Sequence, residues 1–159
     1  MGLDALELRR VLSRYPTGVT VVGTRHVPTG VCGLTVNAFT SVSLEPPLVL
    51  VCVDRSANTH GCIEACGMFS VNVLSRGQGD VAVRFAQRRD DKFEGIAWRE
   101  GVEGLPLLDG ASAWVQCRVD RSFDGGDHTI FLAHVLEASN SEEPPLVFHL
   151  GSYTGVAGA

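Results

Sequence analysis

The run PLVLVCVD at residues 47–54 constrains the fold of this chain more than any other stretch. It is unbroken in apolar character and rich in β-branched valine, which reads as a strand with cover on both faces. Directly before it, TVNAFTSVSLEPP at residues 35–47 is mostly small and polar and closes on a proline pair. That pairing reads as a strand end that breaks into a loop beside a buried strand. Such a loop exposes main-chain N–H groups together with the short side chains of Thr35, Asn37, Thr40, Ser41 and Ser43.

Further strands surround this centre. TGVTVVGTR at 17–25 is β-branched, RHVPTG at 25–30 supplies turn residues, and residues 31–36 pair back as a hairpin. MFSVNVLS at 68–75 is another strand. In SAWVQCRVDRSF, residues 112–123, Val115, Cys117 and Val119 alternate with Gln116, Arg118 and Asp120, a half-buried pattern of period two. DGGD at 124–127 joins it to HTIFLAHVLEA at 128–138 as a tight hairpin, since glycine accepts positive φ. PPLVFHLG at 144–151 follows. Helices are few and short. LDALELRRVLSRYP has apolar residues near helical spacing, Asp4 as N-cap and Pro16 as its end; RSANTHGCIEACG starts near Ser56 and stops at Gly67; GDVAVRFAQRRDDKF is helical at its beginning.

Six or seven strands without β-α-β alternation predict a mostly β, antiparallel barrel in a single domain spanning 1–159. No GxGxxG follows the first strand, which argues against a Rossmann domain. A net charge of −5 argues against nucleic acid as partner. No apolar run approaches the roughly 20 residues of a membrane span, and the N-terminus lacks the apolar core of a signal peptide. Five cysteines, an odd number without such a signal, suggest reduced thiols in the cytoplasm.

The polar loop suits a flavin ring, whose O2, N3, O4 and N5 edge needs a row of donors at fixed geometry. The order of segments carries more than the loop alone. YPTGVTVVGT, GLTVNAFTSVSLEPPLVLVCVDRSANT, FSVNVL, DKFEGIAW, GDHTIFLAHVL and PLVFHLGSY run collinearly from Tyr15 to Tyr153. In that series the chain resembles the flavin reductase-like family, the small NAD(P)H:flavin oxidoreductase components of two-component flavin-dependent monooxygenases.

The resemblance implies an FMN-binding split barrel, Greek-key-like and antiparallel with a few short helices, usually a homodimer with flavin near the subunit interface. It implies FMN or FAD, and NADH or NADPH, as the reacting pair. By the same analogy Thr35, Val36, Asn37 and Ala38 line the isoalloxazine. Ser41, Cys52, Val53 and Asp54 lie along the ring and ribityl chain. Ser56, Asn58 and Thr59 meet the phosphate, where a helix start also offers free N–H groups to an anion. Arg84 and Lys92 are the nearby cations. Phe85 and Phe93 cover a ring face or pack in the core. His128, just past the hairpin turn, holds the nicotinamide, and Tyr153 closes over the dinucleotide. The implied activity is hydride transfer from nicotinamide C4 to flavin N5, with reduced flavin diffusing to a partner monooxygenase. A non-catalytic flavin-binding or storage protein on the same barrel is the alternative.

Three positions depart from the family pattern. Ala38 stands where a serine is common, Ala133-His134 where Gly-Glu or Gly-Arg is common, and Ser152 where an arginine often precedes the tyrosine. No metal is expected. His26, His60, His134 and His149 have no second ligand at metal spacing, and Cys62, Cys66 and His60 lack a fourth ligand. The run RFAQRRDDKFE, mixed in sign, reads mostly as a solvated face, and Trp98 and Trp114 as core residues of strands.

Overall fold

The computed structural model describes residues 2–26 and 30–158. Their elements are α1 (Ala5–Leu12), β1 (Thr17–Gly18), β2 (Thr20–His26), β3 (Gly30–Val36), β4 (Phe39–Leu44), β5 (Pro47–Asp54), α2 (Asn58–Cys66) and β6 (Met68–Val73). After them come α3 (Gly79–Ala86), β7 (Trp98–Glu100), β8 (Pro106–Leu108), β9 (Ala113–Gly125), β10 (His128–Asn140), β11 (Leu146–His149) and β12 (Ser152–Gly155). The predicted turn at Val27, Pro28 and Thr29 lies outside the described residues.

Seven strands form one antiparallel sheet in the order β3-β2-β6-β9-β10-β5-β4, beside a three-stranded sheet β1-β11-β12 and the pair β7-β8. The two outermost strands of the large sheet, β3 and β4, are consecutive in the chain. Only Asn37 and Ala38 separate them. Three Cα steps of about 3.8 Å bridge at most about 11 Å, so the sheet must roll until the end of β3 comes beside the start of β4. A split barrel, mostly β as expected, is the result.

Burial explains which strands carry the core. β2 and β6 are covered on both faces, because Val22, Phe69 and Val71 point into one apolar cluster, Val21 with the flanking Val19 and Leu74 points into another, and Ser70 and Asn72 lie under β8. The first cluster fills the rolled sheet with Val36, Val51, Val53, Ile63 and Phe131. The second packs α3 on its outside through Ala82 and Phe85. Asn72 accepts from Leu108 N at 2.8 Å and donates to Val21 O at 3.2 Å, which ties β8 onto the sheet.

Several expectations are corrected here. In β5 only Val49, Val51 and Val53 are buried, while Leu48, Leu50 and Cys52 stay half-exposed, so one face of PLVLVCVD lacks the cover expected for both. The stretch expected to be a loop before it is largely β4, because its backbone pairs with β5 from Phe39↔Val51 to Leu44↔Pro47. Helix α1 has its Asp4 cap, with Leu6 N donating to Oδ1 at 3.1 Å, but it stops at Leu12, ahead of Pro16, and none of its residues is buried. Helix α2 begins at Asn58 and ends as expected at Gly67, whose φ is 69°. Gly126, at φ 78°, turns the β9–β10 hairpin.

The cysteines differ most. Cys32 of β3 and Cys62 of α2 are bonded as a disulfide, and among the described residues Cys52, Cys66 and Cys117 are free thiols. The odd count concealed this pair because 30 residues separate its members. No helix of the described residues is long and apolar enough to cross a membrane.

Candidate functional site

A cleft of about 810 Å³ opens between the outer edge of β3, the turn leading into α2 and the segment that follows α3. Its floor depends on the absence of a side chain at Gly33. A Cβ there would stand 2.8 Å from Phe85 Cε1 and 3.1 Å from Phe93 Cε2. These two rings meet edge to face at 4.8 Å, and Phe93 continues onto Trp98 at 5.6 Å. Lys92 closes the floor by donating from Nζ to Gly33 O and Phe85 O, each at 3.0 Å. Burial pushes the Lys92 ammonium pKa down, and Asp90 acts against that shift.

At the opposite wall the chain leaves β5 through Asp54. Its carboxylate accepts from Ser56 N at 2.7 Å and Ser56 Oγ at 2.8 Å. The main-chain bond, then the hydroxyl bond, hold its pKa below the usual carboxylate value. Arg88 Nη2 donates to Ser56 Oγ at 3.1 Å, and Asn58 Nδ2 to Asp90 Oδ1 at 3.4 Å. Helix α2 then starts behind Ala57, which gives no side-chain cap. A first helical turn without such a cap leaves N–H donors and the positive end of the helix dipole toward whatever anion enters. Arg89 is bound to Asp91 through Nε at 2.5 Å and Nη2 at 2.6 Å, and its guanidinium holds the Asp91 carboxyl down to about 2.

Of the residues singled out in the sequence as flavin or nucleotide contacts, the cleft brings together Thr35, Asp54, Ser56, Asn58, Thr59, Phe85, Lys92 and Phe93. Thr35 contributes its position more than its hydroxyl, which donates to Ala82 O at 2.6 Å and clasps β3 to α3. Val36, Asn37, Ala38, Ser41, Cys52, Val53, Arg84, His128 and Tyr153 do not line it. Val36 and Val53 point into the core. Asn37 and Ala38 sit exposed at the seam between the sheet's margins, with Ala38 O accepting from Cys52 N at 3.0 Å. Ser41 is exposed on β4 opposite Val49. Burial raises the pKa of the half-buried Cys52 thiol.

Arg84 spends its guanidinium on the carbonyls of Lys92, Asp91 and Glu94 at 2.7, 2.8 and 2.5 Å, so it shapes the following loop. His128 opens β10 directly opposite Asp54 in the strand register, with Nδ1 2.7 Å from Asp127 Oδ1. Tyr153 packs on Phe148 at 5.5 Å within the small sheet. Sequence reasoning missed Arg88 as the cation that reaches the Ser56 turn. It set His26 and Cys62 aside as metal ligands and did not single out Cys32, yet three separate elements bring these residues to the cleft wall. No short spacing signals that trio.

The family profile described as the flavin reductase like domain matches residues 12–157. The reductase subunit HsaB of a flavin-dependent monooxygenase from Mycobacterium tuberculosis is 42% identical over 159 residues, 97% of this chain and 83% of that protein. An NADH-dependent FAD reductase from Streptomyces globisporus is 45% identical over 141 residues, 86% of this chain and 76% of that protein. Among solved structures, the Streptomyces globisporus NADH:FAD oxidoreductase SgcE6, in complex with NAD and FAD fragments, superposes with a TM-score of 0.92. It is 42% identical in sequence and the match covers 98% of this chain and 94% of that one.

Proposed function

The chain belongs to the flavin reductase-like family, and from that membership we propose that it is an NAD(P)H-dependent flavin reductase serving a separate flavin-dependent monooxygenase. The reaction is hydride transfer from C4 of reduced nicotinamide to N5 of FMN or FAD, a two-electron step whose bond changes belong to the two small molecules. The protein's task is to bind, orient and exclude water. Relatives named as reductases support turnover over storage.

The observation that carries the reading onto these residues is the cleft's donor set. An uncapped helix start, the Asn58 amide and the Arg88 guanidinium converge on one wall, beside a turn that Ser56 fixes by giving its hydroxyl proton to Asp54. That set fits a phosphate or pyrophosphate. The cleft volume is also ample for a nucleotide. Ser56, Asn58 and Thr59 hold the phosphate, with Arg88 taking the role that the sequence gave to Arg84. Lys92 anchors the floor. The outer edge of β3 from Thr35, continued through Val36, Asn37 and Ala38, offers main-chain groups to the isoalloxazine. Ser41, Cys52 and Asp54 border the same seam. His128, across the register from Asp54, steadies the nicotinamide, and Tyr153 closes over the dinucleotide.

A homodimer belongs to this reading. Leu50 pairs with Leu132 and Cys52 with Ile130 across β5 and β10, so the four make one apolar patch on the face left half-exposed. On neighbouring β4 the residues opposite Leu50 and Leu48 are Thr40 and Ser43, and that strand also exposes Val42 and Leu44, at 47% and 88%. An apolar face of this kind calls for a partner, and a second copy is the commonest one. The enzyme works in the cytoplasm, where reduced nicotinamide nucleotides are made.

The test mixes purified protein with NADH or NADPH and FMN or FAD and follows loss of reduced nicotinamide. Oxidation above the uncatalysed rate is expected for at least one pair, and none with every pair rejects the reductase reading. His128→Ala is expected to raise KM for the nicotinamide while flavin affinity, titrated separately, holds. Equal losses in both would remove His128 from its role.

A further inference from the structure

Three soft or borderline donors from separate elements meet at the cleft wall. His26 ends β2, Cys32 lies in β3 and Cys62 in α2, and their ring nitrogen and sulfur atoms all lie within 4.8 Å of one another. Cys62 is buried, Cys32 half-buried and His26 exposed, so the cluster runs from the core out to solvent. Hydride transfer between nicotinamide and flavin makes no use of thiols at this position.

We propose that, once the Cys32–Cys62 bond is reduced, His26, Cys32 and Cys62 bind a thiophilic divalent cation, Zn2+ above all, in a three-ligand site whose fourth position opens to the cleft. A phosphine, which takes up water's oxygen as its oxide while water's protons go to sulfur, or a dithiol, which becomes a disulfide, supplies the two electrons that convert the bond into two thiols. The cation then displaces both thiol protons and accepts the lone pair of the neutral imidazole. Two thiolates and one imidazole with water in the remaining position is a set that zinc adopts in enzymes. Zn–S bonds of about 2.3 Å and Zn–N bonds of about 2.0–2.1 Å require donor atoms roughly 3.3–3.8 Å apart in a tetrahedron. The sulfurs have only to part to that distance, and Cα atoms 6.7 Å apart leave the room. Oxidation removes both thiolates, so the disulfide and the bound cation exclude each other. The site does not depend on the flavin reading, because its ligands need no flavin in place.

The experiment takes the full chain, reduces it with a phosphine that is then removed, and titrates it with Co2+ under anaerobic conditions before displacement by Zn2+. A thiolate-to-cobalt charge-transfer band with visible bands of tetrahedral intensity is expected, saturating at one equivalent and abolished by Zn2+. Cys32→Ser and Cys62→Ser lose the band. His26→Ala weakens binding by at least the ~10-fold that even an outer-shell loss costs at such sites. Cys66→Ser, which removes a half-buried thiol outside the cluster, retains it. Circular dichroism of each variant confirms folding, and the half-exposed Cys32 position serves if the buried Cys62 variant does not fold. No band in the reduced wild type, a band that survives Cys32→Ser, unchanged affinity in His26→Ala, or equal binding by the oxidised protein overturns the site.

Discussion

Asp54 shows how a single carboxylate can set the shape of a binding wall. Its two bonds to Ser56 fix the turn that delivers Asn58 and Thr59 to the cleft. Its pKa in the folded protein lies below the unfolded value near 3.9, because the Ser56 main chain and then the Ser56 hydroxyl favour the anion. The turn is therefore fully held above that value and is lost as pH falls through the lowered pKa. An NMR titration of the Asp54 carboxyl is expected to give a midpoint below the ordinary range, and a midpoint at or above it contradicts the turn. Asp54→Asn replaces a charged acceptor with a neutral one and is expected to raise KM for flavin by about 3- to 10-fold. The change in kcat should be smaller, as befits a positioning residue. The same scale shows where the sequence stopped being informative. The run from Arg84 to Glu94 displays its cations openly, but it spans a helix end and a loop. Which guanidinium turns inward to carbonyls, as Arg84 does, and which reaches Ser56, as Arg88 does, depends on where α3 stops.

At the scale of elements, strands with regular alternation were legible. Residues 113–123 and 128–138 fall inside β9 and β10, and the Gly-Gly turn between them forms where expected. The misreading was β4. Its polar side chains look like a loop because an edge strand keeps one margin wet, and only pairing with β5 reveals it as a strand. PLVLVCVD misled in the opposite direction, since an apolar face reads as buried whether its cover is intramolecular or a second chain. Packing between β3 and α3 is a further element-level matter, and Gly33 is its sensitive point. Gly33→Ala must displace Phe85 or Phe93, and it is expected to destabilise the fold by about 1–3 kcal/mol, as overpacking does. Urea unfolding measures this, with weaker flavin binding in parallel. A variant as stable as the parent would show that the ring pair yields freely.

For the whole molecule, the decisive surface is the outer face of β5 and β10. Leu50→Glu introduces a charge at the centre of the apolar patch, opposite Leu132. Light scattering is expected to give twice the chain mass for the parent and the single-chain mass for the variant, with the circular dichroism spectrum retained. A parent of single-chain mass would leave that face without its assigned cover. Composition and strand order foretold the architecture. They did not foretell the covalent link between Cys32 and Cys62, which depends on β3 and α2 meeting in space.

The join at Asn37 and Ala38 has one more effect. A sheet with distant free margins offers each as a template to stray strands from other chains, which is how fibrils and tangled aggregates begin. Stitching the end of the first margin to the start of the second through two residues ties both hazards to one corner of the rolled sheet. A strand arriving there from another chain would meet this chain's own backbone instead of an open end.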